Sequence, residues 1–163
     1  MTAPFRPREI FAALERHRVD YVAVGGFALI AHGVLKVTAD VDIVPEPGGE
    51  NLARLAAALQ ELEGVPDGEP DTSIDVALLA RDTNMRFQTA AGQLDVLHAR
   101  QYADRYHSLR ARAVQSRPEG ILVTVAARKD LIALKAASGR DRDLIDIGDL
   151  LAIEDEDQPD PAA

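Results

Sequence analysis

The stretch 36–44 constrains this chain most, because its polarity alternates. Lys36, Thr38, Asp40 and Asp42 share one parity, and Val37, Ala39, Val41 and Ile43 share the other. A period of two is that of a strand with one polar and one buried face. Pro45, Pro47, Gly48 and Gly49 close it. The pattern predicts a strand over 36–44 with two carboxylates on one face, about 7 Å apart along the backbone at roughly 3.3 Å per residue. Two such groups repel unless a cation lies between them, and hard oxygen ligands suit Mg2+.

An Asp-x-Asp pair alone carries little weight, since the sequence holds three: Asp40/Asp42, Asp141/Asp143 and Asp155/Asp157. The last lies in an acidic tail and the second at a helix start, where acids cap exposed amides and favour the dipole. Only Asp40 and Asp42 fall on a predicted strand. Two carboxylates rarely hold a catalytic metal pair by themselves, so a third is expected on a neighbouring strand. Asp95, in Gln93-Leu94-Asp95-Val96-Leu97, is centred in an apolar run where an unpartnered acid is costly.

Around this strand the periodicity predicts helices over 8–17, 27–32, 51–62, 127–138 and 144–153, with Gly139 just past the fourth. Strands are expected over 21–24 and 121–125, and a hairpin joins 85–89 to 93–98. The segment 74–79 fits helix or strand equally. Gly25 and Gly26 interrupt the chain between the strand 21–24 and the helix that follows. The expected class is therefore α+β, a small mixed sheet flanked by helices. One domain over 1–153 is expected, because 163 residues with 47% hydrophobic content suffice for a single core. The tail 154–163 is acidic and is expected to be disordered.

Charge limits the partners. The net charge of −9 argues against a general nucleic-acid coat. Yet charge is segregated: residues 37–80 hold one base against ten acids, 81–142 hold twelve bases against six acids, and eight acids with no base follow Arg142. An acidic, metal-ready edge beside a basic, phosphate-facing surface fits that layout. With no cysteine, disulfides and thiolate zinc sites are excluded, and His17, His32, His98 and His107 are too scattered for zinc-ligand spacing. Without a long apolar run or a signal-like N-terminus, the expected location is cytoplasmic, with no membrane partner.

Val24-Gly25-Gly26, followed after 13 residues by Asp40-Val41-Asp42-Ile43, resembles the signature of the DNA polymerase beta nucleotidyltransferase superfamily. Gly25 to Leu29, His32-Gly33, Thr38 and the later Leu131 to Lys135 with Gly139-Arg140 and Asp143 to Asp146 are similar to its AbiEii/MenT-like toxin branch. Lys36 stands where those relatives commonly carry Arg, which keeps the charge but loses the planar fork.

The resemblance implies a nucleotidyltransferase fold and transfer of a nucleoside monophosphate from a triphosphate to an acceptor hydroxyl. It implies that Asp40, Asp42 and Asp95 hold two Mg2+ ions, with Mn2+ as a second candidate, and that Gly25, Gly26, Lys36 and Lys135 meet the nucleotide. The acceptor it suggests is a tRNA 3′ end, in a toxin partnered by a cognate antitoxin. A protein or small-molecule acceptor, such as an antibiotic, and a catalytically silent interaction or antitoxin module are the alternatives. Arg140 and Arg142 are left outside the site, with an Arg142 to Asp146 i,i+4 pair as their simplest role. Thr38 is read as an ordinary strand residue, and His32 as a packed or turn-stabilising one.

Overall fold

A computed structural model describes residues 3–154. Helix α1 (Pro7–Arg16) opens the fold with Pro7 in its first turn and buries Ile10, Phe11, Ala13 and Leu14 on one face. Strand β1 (Tyr21–Val24) leads into α2 (Gly25–Ala31), and β2 (Asp40–Pro45) into α3 (Gly49–Glu61). A short strand β3 (Val65–Pro66) and a short helix α4 (Val76–Leu79) precede a hairpin of β4 (Asn84–Thr89) and β5 (Gly92–Leu97). Then come α5 (Arg100–Ala103), α6 (Tyr106–Arg112), β6 (Val114–Ser116) and β7 (Val123–Val125). Helices α7 (Arg128–Ser138) and α8 (Asp141–Glu154) complete the described chain and pack on each other.

The strands form one mixed sheet in the order β3-β4-β5-β2-β1-β7-β6. Strand β2 lies at its centre, antiparallel to β1 and parallel to β5. Phe11 of α1 clamps Tyr21 of β1 and Phe27 of α2, with ring centroids 5.9 and 5.1 Å apart. Ile43, Phe87 and Leu94 are among the largest fully buried side chains, so the apolar parity of the central strands faces the core.

The predicted strand 36–44 is shorter than expected and begins at Asp40. Its ladder runs out of partners: β1 turns into α2 after Val24, which pairs with Asp42, and β5 starts at Gly92, one residue before the partner of Asp40. Residues 36–39 therefore leave the sheet, and Val37, on the predicted buried face, is 96% exposed. Thr38 is thus a loop residue and not a strand residue. The segment 74–79 resolves as the helical turn α4, capped by Asp75, whose carboxylate accepts from the Leu78 amide. Residues 155–163, most of the acidic tail, lie outside the described residues.

Candidate active site

The parallel register of β2 and β5 places Asp42 beside Asp95 and Asp40 beside Gln93. Side chains opposite one another on adjacent strands share a face, so the period-two pattern of each strand aims its acids to the same side. Asp40, Asp42 and Asp95 each offer an oxygen, and these three oxygens lie within 4.8 Å of one another. Gln93 ties the cluster together: its amide donates to Asp40 at 3.2 Å and to both Asp95 oxygens at 3.3 and 3.4 Å. Arg86, opposite Asp95 across the hairpin, donates to it at 3.2 Å. The Thr38 hydroxyl donates to Asp40 Oδ1 at 3.3 Å, which holds the loop against the strand end.

Crowding is the main electrostatic fact here. Burial, then the charges of Asp40 and Asp95, then a hydrogen bond with Asp95 push the Asp42 carboxyl up to about 8, with Lys135 pulling the other way. A carboxyl raised this far beside two further carboxylates would be ionised more readily by a cation placed among them. Three hard oxygen donors within bonding reach of one point suit a divalent cation such as Mg2+ or Mn2+, so the donor set fits the metal.

Gly25 makes room for this cluster. Its φ of 70° lies in the left-handed region, and a Cβ there would overlap Asp42 Oδ2 and sit 2.8 Å from Asp42 Cγ. Gly26 is less constrained, since its Cβ would meet Thr38 Oγ1 at 3.0 Å. Both glycines belong to the first turn of α2 and do not precede it, as the sequence suggested.

Cations face the carboxylates from the other wall of a cleft of about 420 Å3. Lys36, although outside the strand, reaches the cleft, with Nζ 3.3 Å from Asp146 Oδ1. Lys135 of α7 donates to Asp146 at 2.9 Å and to Asp143 at 3.5 Å. Asp143 also accepts from the Ser138 hydroxyl and from Arg140 at 2.6 Å. Burial works against its charge, but Ser138, Arg140 and Lys135 outweigh it and hold Asp143 at about 2. For Asp146 burial again opposes ionisation, and Lys135 and Lys36 together hold its carboxyl below the ordinary range.

Residues 8–158 match the family described as nucleotidyltransferase of unknown function (DUF6036). The chain belongs to that family. No curated relative matches the sequence. Among solved structures, this chain is similar to the lincosamide antibiotic adenylyltransferase LnuA, solved with lincomycin bound. The identity is 12% and the TM-score 0.63, over 92% of this chain and 99% of that one. An antigenic nucleotidyltransferase-like protein from Paracoccidioides brasiliensis aligns at 18% identity and TM-score 0.63, covering 97% of this chain and 81% of that one. The antibiotic-resistance factor ANT(2'')-Ia aligns at 16% and 0.60, covering 92% and 81%. At these identities the likeness shows the nucleotidyltransferase fold.

Five further charged residues line the cleft beyond the site residues assigned from the sequence: Arg86, Arg140, Arg142, Asp143 and Asp146. Arg140 and Arg142, set aside as helix-surface residues, line it. Asp146 is engaged by Lys36 and Lys135 in place of the expected Arg142 pair. The signal for Arg86 was present, because a two-residue turn at 90–91 pairs Arg86 with Asp95 by counting. Helix α8 hid the others by inverting its apolar pattern: Asp143, Asp146 and Leu150 face inward, while Leu144 and Ile145 are 60% and 67% exposed. The histidines play no part in the cleft. His98 bonds the Arg81 carbonyl oxygen at 2.9 Å and His32 the Ala126 carbonyl oxygen at 2.8 Å.

Proposed function

We propose that this nucleotidyltransferase moves a nucleoside monophosphate from a triphosphate to an acceptor hydroxyl, using a divalent metal at Asp40, Asp42 and Asp95. The observation that carries the reading is the convergence of the three carboxylates opposite a glycine whose Cβ would displace one of them. A purely structural role gives no reason to gather mutually repelling acids, which contribute little to a core. The acceptor oxygen forms a bond to the α-phosphorus, and the bond from that phosphorus to the bridging oxygen breaks, with pyrophosphate leaving on its own electron pair. Magnesium, when bound, lowers the pKa of the attacking hydroxyl and screens the leaving pyrophosphate.

The protein's residues position and neutralise. Asp95 takes the hydroxyl proton, and Gln93 and Arg86 fix its orientation. Lys36 and Lys135 each carry three donors, so each can hold Asp146 and a phosphate oxygen at once. Gly25 and Gly26 let the backbone approach the phosphates without a side chain in between.

Two acceptor classes each have an observation behind them. A tRNA 3′ end, in a toxin with an antitoxin partner, is supported by exposed Arg100, Arg105 and Arg110 on the segment that follows β5. A small-molecule acceptor is supported by the antibiotic adenylyltransferases among the structural neighbours. The test is incubation with each labelled triphosphate and Mg2+, in turn with total RNA, protein extract, or a panel of aminoglycosides and lincosamides. Label should appear in one acceptor class, and Asp95→Asn should bind nucleotide without transferring it. Undiminished transfer by Asp95→Asn removes the role given to Asp95, and no transfer by the wild type to any acceptor favours a silent module.

A further inference from the structure

A second hollow opens from the same centre and differs from the cleft in chemistry. It has a volume of about 190 Å3, and Val24, Leu97, Tyr102, Leu131 and Leu134 give it an apolar lining. It shares Gly25, Asp42, Lys135, Arg140 and Asp143 with the polar cleft, but its lining includes none of Lys36, Asp40, Arg86, Asp95, Arg142 or Asp146. Its apolar wall comes from the ends of β1 and β5, the short helix α5 and α7. Tyr102 is half-buried against the core and also lines a smaller neighbouring hollow of about 160 Å3. Leu134 and Ser138 line both spaces with it.

We propose that this hollow receives the nucleobase of the triphosphate and that Tyr102 is the platform on which the base stacks, an inference that rests on the nucleotidyltransferase reading above. Three features select that occupant. The triphosphate belongs in the polar cleft, where Lys36 and Arg142 stand in addition to the Lys135 and Arg140 that the two spaces share, whereas the hollow's own residues are mostly apolar. The nucleoside hangs from the α-phosphate and leaves that cleft past Gly25 and Asp42, which is where the hollow opens. The acceptor belongs on the side of Asp95, which the hollow does not touch. At about 190 Å3 the space also lies below the roughly 300 Å3 at which pockets begin to take drug-sized ligands, so it suits one ring system and not a whole antibiotic or RNA end. Stacking tolerates any base, so Tyr102 strengthens binding of all four nucleotides, and discrimination falls to the polar side chains in the lining, Ser138, Arg140 and Asp143.

Calorimetric titration in excess Mg2+ tests this, with ATP, GTP, CTP, UTP and inorganic tripolyphosphate as ligands. The proteins are the wild type, Tyr102→Ala, Tyr102→Phe and Leu134→Trp. Base stacking measured by alanine substitution translates to a roughly 5- to 150-fold loss of nucleotide affinity for Tyr102→Ala. Tyr102→Phe should stay within about twofold because the ring remains, and tripolyphosphate should bind all four proteins alike. Leu134→Trp fills the hollow and should weaken nucleotides while sparing tripolyphosphate, which separates blocked space from a misfolded site. Equal loss of both ligand types on Tyr102→Ala assigns the residue a structural role and overturns the proposal. Unchanged nucleotide affinity with a raised KM for the acceptor places the acceptor in the hollow and overturns it too. If the wild type binds neither nucleotide nor tripolyphosphate, the nucleotidyltransferase reading itself fails and the subsite falls with it.

Discussion

Replacing Gly25 by alanine separates a glycine required by the site from one that only ends a strand. Its φ of 70° costs a non-glycine residue about 1–2 kcal/mol. The added methyl overlaps Asp42 Oδ2 and comes to 2.8 Å from Asp42 Cγ, a side chain held by the sheet register. Overpacking of this kind costs about 1–3 kcal/mol, so the variant should lose about 2–5 kcal/mol in all. For a chain of this size the melting temperature should fall by roughly 4–20 °C. Because relief comes from moving Asp42, manganese affinity should also fall at least about tenfold, the effect of 1.4 kcal/mol. Gly26→Ala is the control: its φ is not positive, and Thr38, the atom in the way, sits in a loop that can give by a few tenths of an ångström. That variant should stay within about 1 kcal/mol of wild type. Urea unfolding and calorimetric manganese titration of both variants check this. A Gly25→Ala protein as stable as Gly26→Ala, with full metal affinity, would refute the argument.

Four other outcomes follow from charge. In the folded protein Asp42 ionises at about 8, against about 4 in the unfolded chain, so its protonated form stabilises the metal-free fold fully below about pH 4. That stability is lost as the pH rises through 8, and urea midpoints of the metal-free protein should fall across the window and flatten in Asp42→Asn. Manganese binding should in turn release a proton and tighten up to about tenfold per pH unit until pH 8, as a titration series in several buffers would show. Mg2+ with a triphosphate should raise the melting temperature more than either alone, and Asp42→Asn should abolish the gain. Asp146→Asn should destabilise by about 1–3 kcal/mol because Asp146 is 8% exposed and holds two lysines, whereas Glu61→Gln, at an exposed pair with Arg16, should shift the urea midpoint far less in the same assay.

Much of the centre was legible in the sequence because it is encoded locally. Asp40, Asp42 and Asp95 lie on strands whose period of two fixes their faces, and the glycine pair marks the change from strand to helix, although both glycines lie inside the helix and not before it. The start of β2 was not legible, since alternation continues through Lys36 and Val37 while the neighbouring strands have already ended. Local pattern cannot register a missing partner. The segment 100–116 was not assigned because α5, α6 and β6 run only 4, 7 and 3 residues, too short for periodicity to emerge. Helix α8 was found, but its inward face was not. Apolar residues normally mark the buried side, and here the cleft's lysines draw Asp143 and Asp146 inward and leave Leu144 and Ile145 outside.

That inversion sets the charge that a triphosphate would meet in the cleft. The cleft gathers five carboxylates (Asp40, Asp42, Asp95, Asp143 and Asp146) against five cations (Lys36, Arg86, Lys135, Arg140 and Arg142), so its formal charge is zero with every group ionised and +1 while Asp42 is protonated. Had α8 turned Leu144 and Ile145 inward, two more of the same cations would stand uncompensated and would attract any polyanion. With Asp143 and Asp146 in place, a triphosphate of roughly four negative charges would meet only a weak net attraction until divalent ions join it. The metals alone meet a cluster whose central member, Asp42, is still protonated near neutral pH. Under the proposed function each ligand would therefore supply the charge that the other needs, and the acids of the last helix would make nucleotide and metal bind as one unit rather than independently.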